Sequence, residues 1–145
     1  MKILFTDNSL WGLLNFRGSI IIHLRDLGHE VVMVSPVDAP SKGMNVPDGV
    51  RHIAINMQRT STNPLHDVRY FFRLLSIYRE ERPDYIFHFT IKPNIYGTLV
   101  ARLLGIHSTA MVAGLGFTFS HGGFTSKGAH QLFRFALGFA DKIMV

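Results

Sequence analysis

The feature that most constrains this chain is the alternation of short, nearly continuous apolar runs with amphipathic segments of helical length. KILFT (2–6), EVVMVSP (30–36), RHIAI (51–55), DYIFHF (84–89), STAMVA (108–113) and DKIMV (141–145) read as strands. Between them, LLNFRGSIIIHLRDLGH places Leu14, Ile20, Ile21, Leu24 and Leu27 on one helical face and stops at Gly28. LHDVRYFFRLLSIYREE predicts a buried stripe of Val68, Phe71, Phe72, Leu75 and Tyr78, with Arg69, Arg73, Arg79 and Glu80 wet. KPNIYGTLVARLLG carries Pro93 in its first turn and Gly105 as its stop. SKGAHQLFRFALGFA is the last helix, and DAPSKGMNVPDGV (38–50) is an irregular connection. Strands alternating with helices predict an α/β fold with a mostly parallel sheet covered on both faces. Strands buried on both sides are near-continuous apolar runs, as these are.

Several functions are excluded before any motif is considered. There is no cysteine among the 145 residues, so neither a disulfide framework nor a thiolate metal site can form. The opening MKILFTDNSLWG offers only a three-residue apolar run, too short for a signal peptide, and no apolar stretch reaches a membrane span. A cytoplasmic location is the expectation. The net charge of +5 suits a polyanion: nucleic acid, anionic lipid or a phosphorylated small molecule. No RNP-like motif or base-reading basic helix is present, so no nucleic-acid partner is expected. The sequence ends inside its sixth strand, which leads us to expect one half of a larger protein.

In a parallel sheet, ligands bind at the loops that follow the strands at their carboxyl ends. Three such loops carry candidate residues. TDNSLWGLLNFRG (6–18) has neither G-x-G-x-x-G nor a Walker A pattern. It does put Asn15 and Arg17 near a helix start, where an anion such as phosphate is favoured; the alternative is that Arg17 is merely solvated. Asp7 ends the first strand there and is either a base or a cap of the loop. HFTIKPNIYG (88–97) gathers His88, Thr90, Lys92 and Asn94 at a strand-to-helix junction. These residues either line a binding site or serve as a packed histidine and helix caps. AGLGFTFSHGG (113–123) brings Gly114 and Gly116 to the third loop, which either moulds around a ligand or is simply flexible. The histidines show no H-E-x-x-H pattern, so no metal is expected. On the last helix, Leu132, Phe133, Phe135, Leu137 and Phe139 interrupted by Lys127, His130 and Arg134 fit either a core helix or one lying on an anionic membrane surface.

Taken together, MKILFTDNS, NFRGSIIIHLRDLGHEVVMVSP, RPDYIFHFTIKPNIYGTLVARLLGI, MVAGLGFTFS and ADKIMV resemble the amino-terminal half of family 4 retaining glycosyltransferases of GT-B fold. H-x-T-x-K-P together with GLGFTF is similar to the subgroup that builds polysaccharide or lipid-linked oligosaccharide on a polyprenyl diphosphate. The resemblance implies a Rossmann-like acceptor-side domain spanning residues 1–145, partnered by a donor-binding carboxyl-terminal domain absent from this chain. It implies a nucleotide-sugar donor, a glycan or lipid-linked acceptor and no cofactor. It places Asn15, Arg17 and Gly18 near the donor phosphates or acceptor. His88, Thr90, Lys92 and Asn94 would line the acceptor side, with Gly114 and Gly116 in the loop after the fifth strand. The sequence departs from the wider family in one respect: the place after the fifth strand where many members have a histidine reads AGLG, with His121 several residues on. The resemblance therefore names no catalytic residue. A nucleotide-sugar epimerase on the same scaffold, or a flavodoxin-like binding domain, are the other readings.

Overall fold

The computed structural model describes residues 1–58, 63–112 and 126–145. Six strands form one parallel sheet: β1 (Lys2–Thr6), β2 (Glu30–Ser35), β3 (Arg51–Ala54), β4 (Tyr85–Phe89), β5 (His107–Met111) and β6 (Lys142–Met144), in the order β3-β2-β1-β4-β5-β6. This is the doubly wound Rossmann order. A flavodoxin-like sheet runs β2-β1-β3-β4-β5, so that alternative is excluded. The chain reverses its direction of travel across the sheet between β1 and β4, where Thr6 pairs with His88.

Alternation along each strand divides the core into two layers. Leu4, Val32, Val34 and Ile86 face α3 (Pro64–Glu81) and α4 (Thr98–Leu104), meeting Tyr70, Leu74, Ile77, Tyr78, Val100 and Ala101. Ile3, Phe5, Val31, Met33 and Phe89 face α1 (Leu10–Phe16) and α2 (Gly18–Asp26), meeting Leu10, Leu13 and Ile21. A smaller cluster seats α5 (Ser126–Leu137) through Phe133 and Ala136 on Ile95 and Val112. That makes α5 a core-packed helix, although Leu132, Phe135 and Phe139 stay substantially exposed.

Three helical expectations need correction. The segment after β1 is two helices. It breaks at Arg17, whose φ of −121° and ψ of −2° leave the helical region, and Gly18 restarts it. The break turns α2 so that Ile21 is buried while Ile20 and Leu27 face solvent. On α3 the buried residues are Tyr70, Leu74, Ile77 and Tyr78, whereas Val68 is 50% and Phe72 60% exposed. The stripe is rotated from the expected one because the tyrosines carry more of the buried surface than the sequence pattern suggests. Finally, the helix after β4 opens with a π-helical turn, Pro93–Gly97, before α4 proper. The stop signals are as expected: Gly28 and Gly105 take φ of 93° and 69°, which L side chains rarely adopt.

Candidate functional site

A pocket of about 440 Å³ opens at the carboxyl edge of the sheet, across the β1–β4 crevice. It lies where ligands of such sheets bind. The end of β1 and the start of α1 contribute Asp7, Asn8, Ser9, Trp11, Gly12, Phe16 and Arg17, while the segment after β2 supplies Asp38 and Pro40. Phe89 of β4, Thr90 just beyond it and Met111 of β5 complete the wall. A wider, open groove of about 850 Å³ lies at the opposite edge, lined by Lys2, Arg79, Glu81 and Arg82 among others. It lies away from the strand ends that build sites in this architecture.

The pocket floor is held by a small hydrogen-bond system. Ser9 caps α1 by accepting from the Gly12 N–H (2.9 Å) and donates its hydroxyl to Asp38 (2.5 Å). Asp38 also accepts from the Trp11 N–H at 3.2 Å. Burial works to raise the Asp38 pKa, but hydrogen bonds from Ser9, Ser41 and Trp11 outweigh it and hold the carboxylate below its usual range. Asp7 is 6% exposed at the pocket wall, where its Oδ1 accepts from the Asn8 N–H at 2.6 Å. The Arg17 guanidinium lies 4.6 Å from the Phe89 ring centroid, a cation–π contact. Arg17 forms no ion pair with any described residue, so its charge remains available to a ligand. Trp11 and Phe16 meet edge to face with centroids 5.4 Å apart, and both are exposed at the rim.

The structure divides the sequence-derived candidates sharply. Arg17 and Thr90 line the pocket. Thr90 adopts a φ of 69°, a left-handed conformation costly for a β-branched residue and of the kind found at binding loops. Gly18 adjoins Arg17 at the first position of α2, with open space where a Cβ would project. Asn15 is exposed and turns back to donate to the Trp11 carbonyl at 2.8 Å.

His88, Lys92 and Asn94 are not pocket-lining groups. His88 is fully buried on the α3–α4 side of the sheet, because it shares the strand face of Ile86. Its Nε2 meets the Tyr78 hydroxyl at 3.1 Å and its Nδ1 the Thr98 hydroxyl at 3.4 Å, and Tyr78 in turn meets Thr6 at 2.8 Å. Lys92 is 4% exposed, with its Nζ 2.6 Å from Asp67 and 2.6 Å from the Gln58 carbonyl. Asn94 is 2% exposed and donates to the Met111 carbonyl at 2.9 Å; its Oδ1 has no partner among the described residues. These three tie the carboxyl edge together from behind the pocket. Gly114, Gly116 and His121 lie outside the described residues. Among the described residues no three His, Asp or Glu side chains converge as metal ligands do.

Sequence reasoning missed Asp38, Pro40, Phe89 and Met111. Each stands at or just beyond the carboxyl end of a parallel strand, which was the available signal.

Burial depresses the His88 pKa to about 3, so the imidazole is neutral in the folded chain at any ordinary pH. The unfolded chain takes up this proton near pH 6.5. The stability from keeping His88 neutral is therefore complete above that pH. As pH falls from about 6.5 towards 3 it is lost at up to about 1.4 kcal/mol per unit. Urea unfolding across that range should show the slope, and His88→Gln should remove its one-proton share.

The glycosyl transferase 4-like family model matches residues 2–145. A curated relative from Campylobacter jejuni, N,N'-diacetylbacillosaminyl-diphospho-undecaprenol alpha-1,3-N-acetylgalactosaminyltransferase, is 28% identical over 144 residues, covering 99% of this chain and 37% of its own. Among solved structures, UDP-GlcNAc 2-epimerase of Methanocaldococcus jannaschii superposes with a TM-score of 0.68 at 15% identity, covering 99% of this chain and 38% of that one. MurG of Acinetobacter baumannii does so at 0.61 and 18% identity, covering 98% and 40%. The chain thus spans a little over a third of the length of these proteins. The two superpositions establish the shared fold, one Rossmann-like half of a GT-B architecture.

Proposed function

Since the chain belongs to the glycosyl transferase 4-like family, we propose that it is the acceptor-side half of a retaining glycosyltransferase. The enzyme moves a sugar from a nucleotide-sugar donor to a polysaccharide or polyprenyl-diphosphate-linked acceptor. A second, donor-binding domain supplies the remaining groups, and these residues alone transfer nothing. In such a reaction the anomeric carbon passes through a cation-like state while the departing nucleotide diphosphate gains charge. Fixed positive groups stabilise that charge, and we assign the task to them rather than to a metal. The lipid-linked acceptor puts the enzyme at the cytoplasmic face of a membrane. No described helix is long and apolar enough to cross one.

The observation that carries this reading is Arg17, a cation with no ion-pair partner among the described residues, braced on Phe89 at the mouth of the switch-point pocket. A phosphate there would receive the planar guanidinium fork. The aromatic walls of Trp11, Phe16 and Phe89 beside Asp7, Ser9 and Asp38 suit a sugar, which offers apolar C–H faces and a rim of hydroxyls. A nucleotide-sugar epimerase shares the fold, and fold alone does not separate the two; the family match favours transfer.

The test is the full-length enzyme with radiolabelled nucleotide sugars and a membrane extract as acceptor. Label is expected in the lipid fraction. Arg17→Gln should lower kcat/KM about tenfold to a hundredfold, the worth of one charge-assisted hydrogen bond, with Arg17→Lys intermediate and unfolding unchanged. Interconversion of free nucleotide sugars without transfer would establish the epimerase instead.

A further inference from the structure

Helix α3 has a second face that its packing leaves unused. Leu65, Val68 and Phe72 are 64%, 50% and 60% exposed. At 3.6 residues per turn they fall within about 60° of arc, on the side away from Tyr70, Leu74 and Tyr78. Arg69 and Arg73 border that stripe along one edge and Arg79 continues its line; all three are exposed, and none forms an ion pair with a described residue. The carboxylates of the helix are mostly spoken for. Asp67 holds Lys92 and Tyr96, and Glu81 holds Lys2 and Arg51. Glu80 is left on the outer side, in the last turn, accepting from Ser76.

We propose that this face of α3 lies on an anionic lipid bilayer, with Leu65, Val68 and Phe72 inserted between headgroups and Arg69, Arg73 and Arg79 on the lipid phosphates. An apolar stripe with an arginine fringe is the pattern of a helix lying in the interfacial plane. Charge decides against a second copy of the chain: two such faces meeting would set three arginines against three, with only Glu80 on each to offset them. The helix starts at the carboxyl edge of the sheet, where Asp67 joins the loop after β4 through Lys92. Seating α3 on a bilayer therefore brings the pocket edge to the lipid surface. The inference rests on the lipid-linked acceptor reading for its purpose, but its test uses vesicles holding neither donor nor acceptor, so each can fail without the other.

The experiment is co-sedimentation of the full-length protein with vesicles of phosphatidylethanolamine and phosphatidylglycerol, against vesicles of phosphatidylcholine alone. Binding is expected to the anionic vesicles, weakening with salt. Arg69→Gln with Arg73→Gln should weaken it about thirtyfold, near fivefold for each arginine. Val68→Ser with Phe72→Ser should weaken it about tenfold or more. Because all four side chains point outward, the unfolding midpoints should stay near that of the parent; a variant that fails to fold is replaced by the single Arg73→Gln. Equal binding to neutral vesicles, or variants that bind like the parent, would overturn the proposal. So would a dimer in light scattering that Phe72→Ser makes monomeric while vesicle binding persists.

Discussion

Gly97→Ala should cost about 3 kcal/mol of stability, the upper end of what overpacking a filled core costs, from a change of one methyl group. A Cβ at position 97 would stand 2.4 Å from Cδ2 and 2.6 Å from Nε2 of His88. The ring has no room to retreat. It is fully buried, stacked beside Tyr78 at 6.1 Å between centroids, and hydrogen-bonded at both nitrogens. Gly97 is needed for the space it leaves, since its φ of −63° and ψ of −43° are open to any residue and no left-handed φ is involved. Urea unfolding measures the loss. The explanation is tested by combining Gly97→Ala with His88→Ala. His88→Ala alone should cost about 2–4 kcal/mol, as a buried ring with satisfied nitrogens is removed. Because the new methyl then fills part of the vacated space, the double variant should be clearly more stable than the sum of the two losses implies. Strict additivity would mean that the two residues do not meet as described.

The same pair shows what was legible in the sequence and what was not. The βαβ alternation identified the parallel sheet, and the strand ends pointed to its carboxyl edge, because apolar runs and turn residues report local geometry directly. Arg17 and Thr90 could be placed at the pocket on that basis. The direction of His88 could not. A strand buried on both faces is apolar on both, so parity along YIFHF does not say which face meets α1 and which meets α3. Lys92 is a similar case: its partner Asp67 lies 25 residues earlier, and nothing local distinguishes a lysine awaiting phosphate from one already neutralised. The break at Arg17 was hidden because the apolar spacing runs on through it. The rotated stripe of α3 was hidden because Tyr70 and Tyr78, polar-tipped, are the residues that bury most deeply.

Lys92→Met is expected to cost about 3–5 kcal/mol, the loss seen when one member of a buried ion pair is removed and the other left behind. Lys92 is 4% and Asp67 16% exposed, and their 2.6 Å contact joins the loop after β4 to the first turn of α3. Removing the ammonium strands the Asp67 carboxylate, with only the Tyr96 hydroxyl at 2.9 Å among its described partners, and takes the donor from the Gln58 carbonyl. Adding Asp67→Asn removes the stranded charge while keeping an acceptor for Tyr96, so the double variant should recover more than half of the loss. The outcome also assigns the residue. A lysine that grips a substrate phosphate would leave stability almost unchanged when replaced and raise the acceptor KM of the full-length enzyme. One that braces the carboxyl edge would lower the unfolding free energy, and transfer would fall only as far as the loop bearing Thr90 loosens. Arg17→Gln should behave in the opposite way, since its charge faces the pocket and no described carboxylate depends on it. Comparing the two variants by unfolding and by kinetics separates a cation that would meet a ligand phosphate from one that holds the loop after β4 in place.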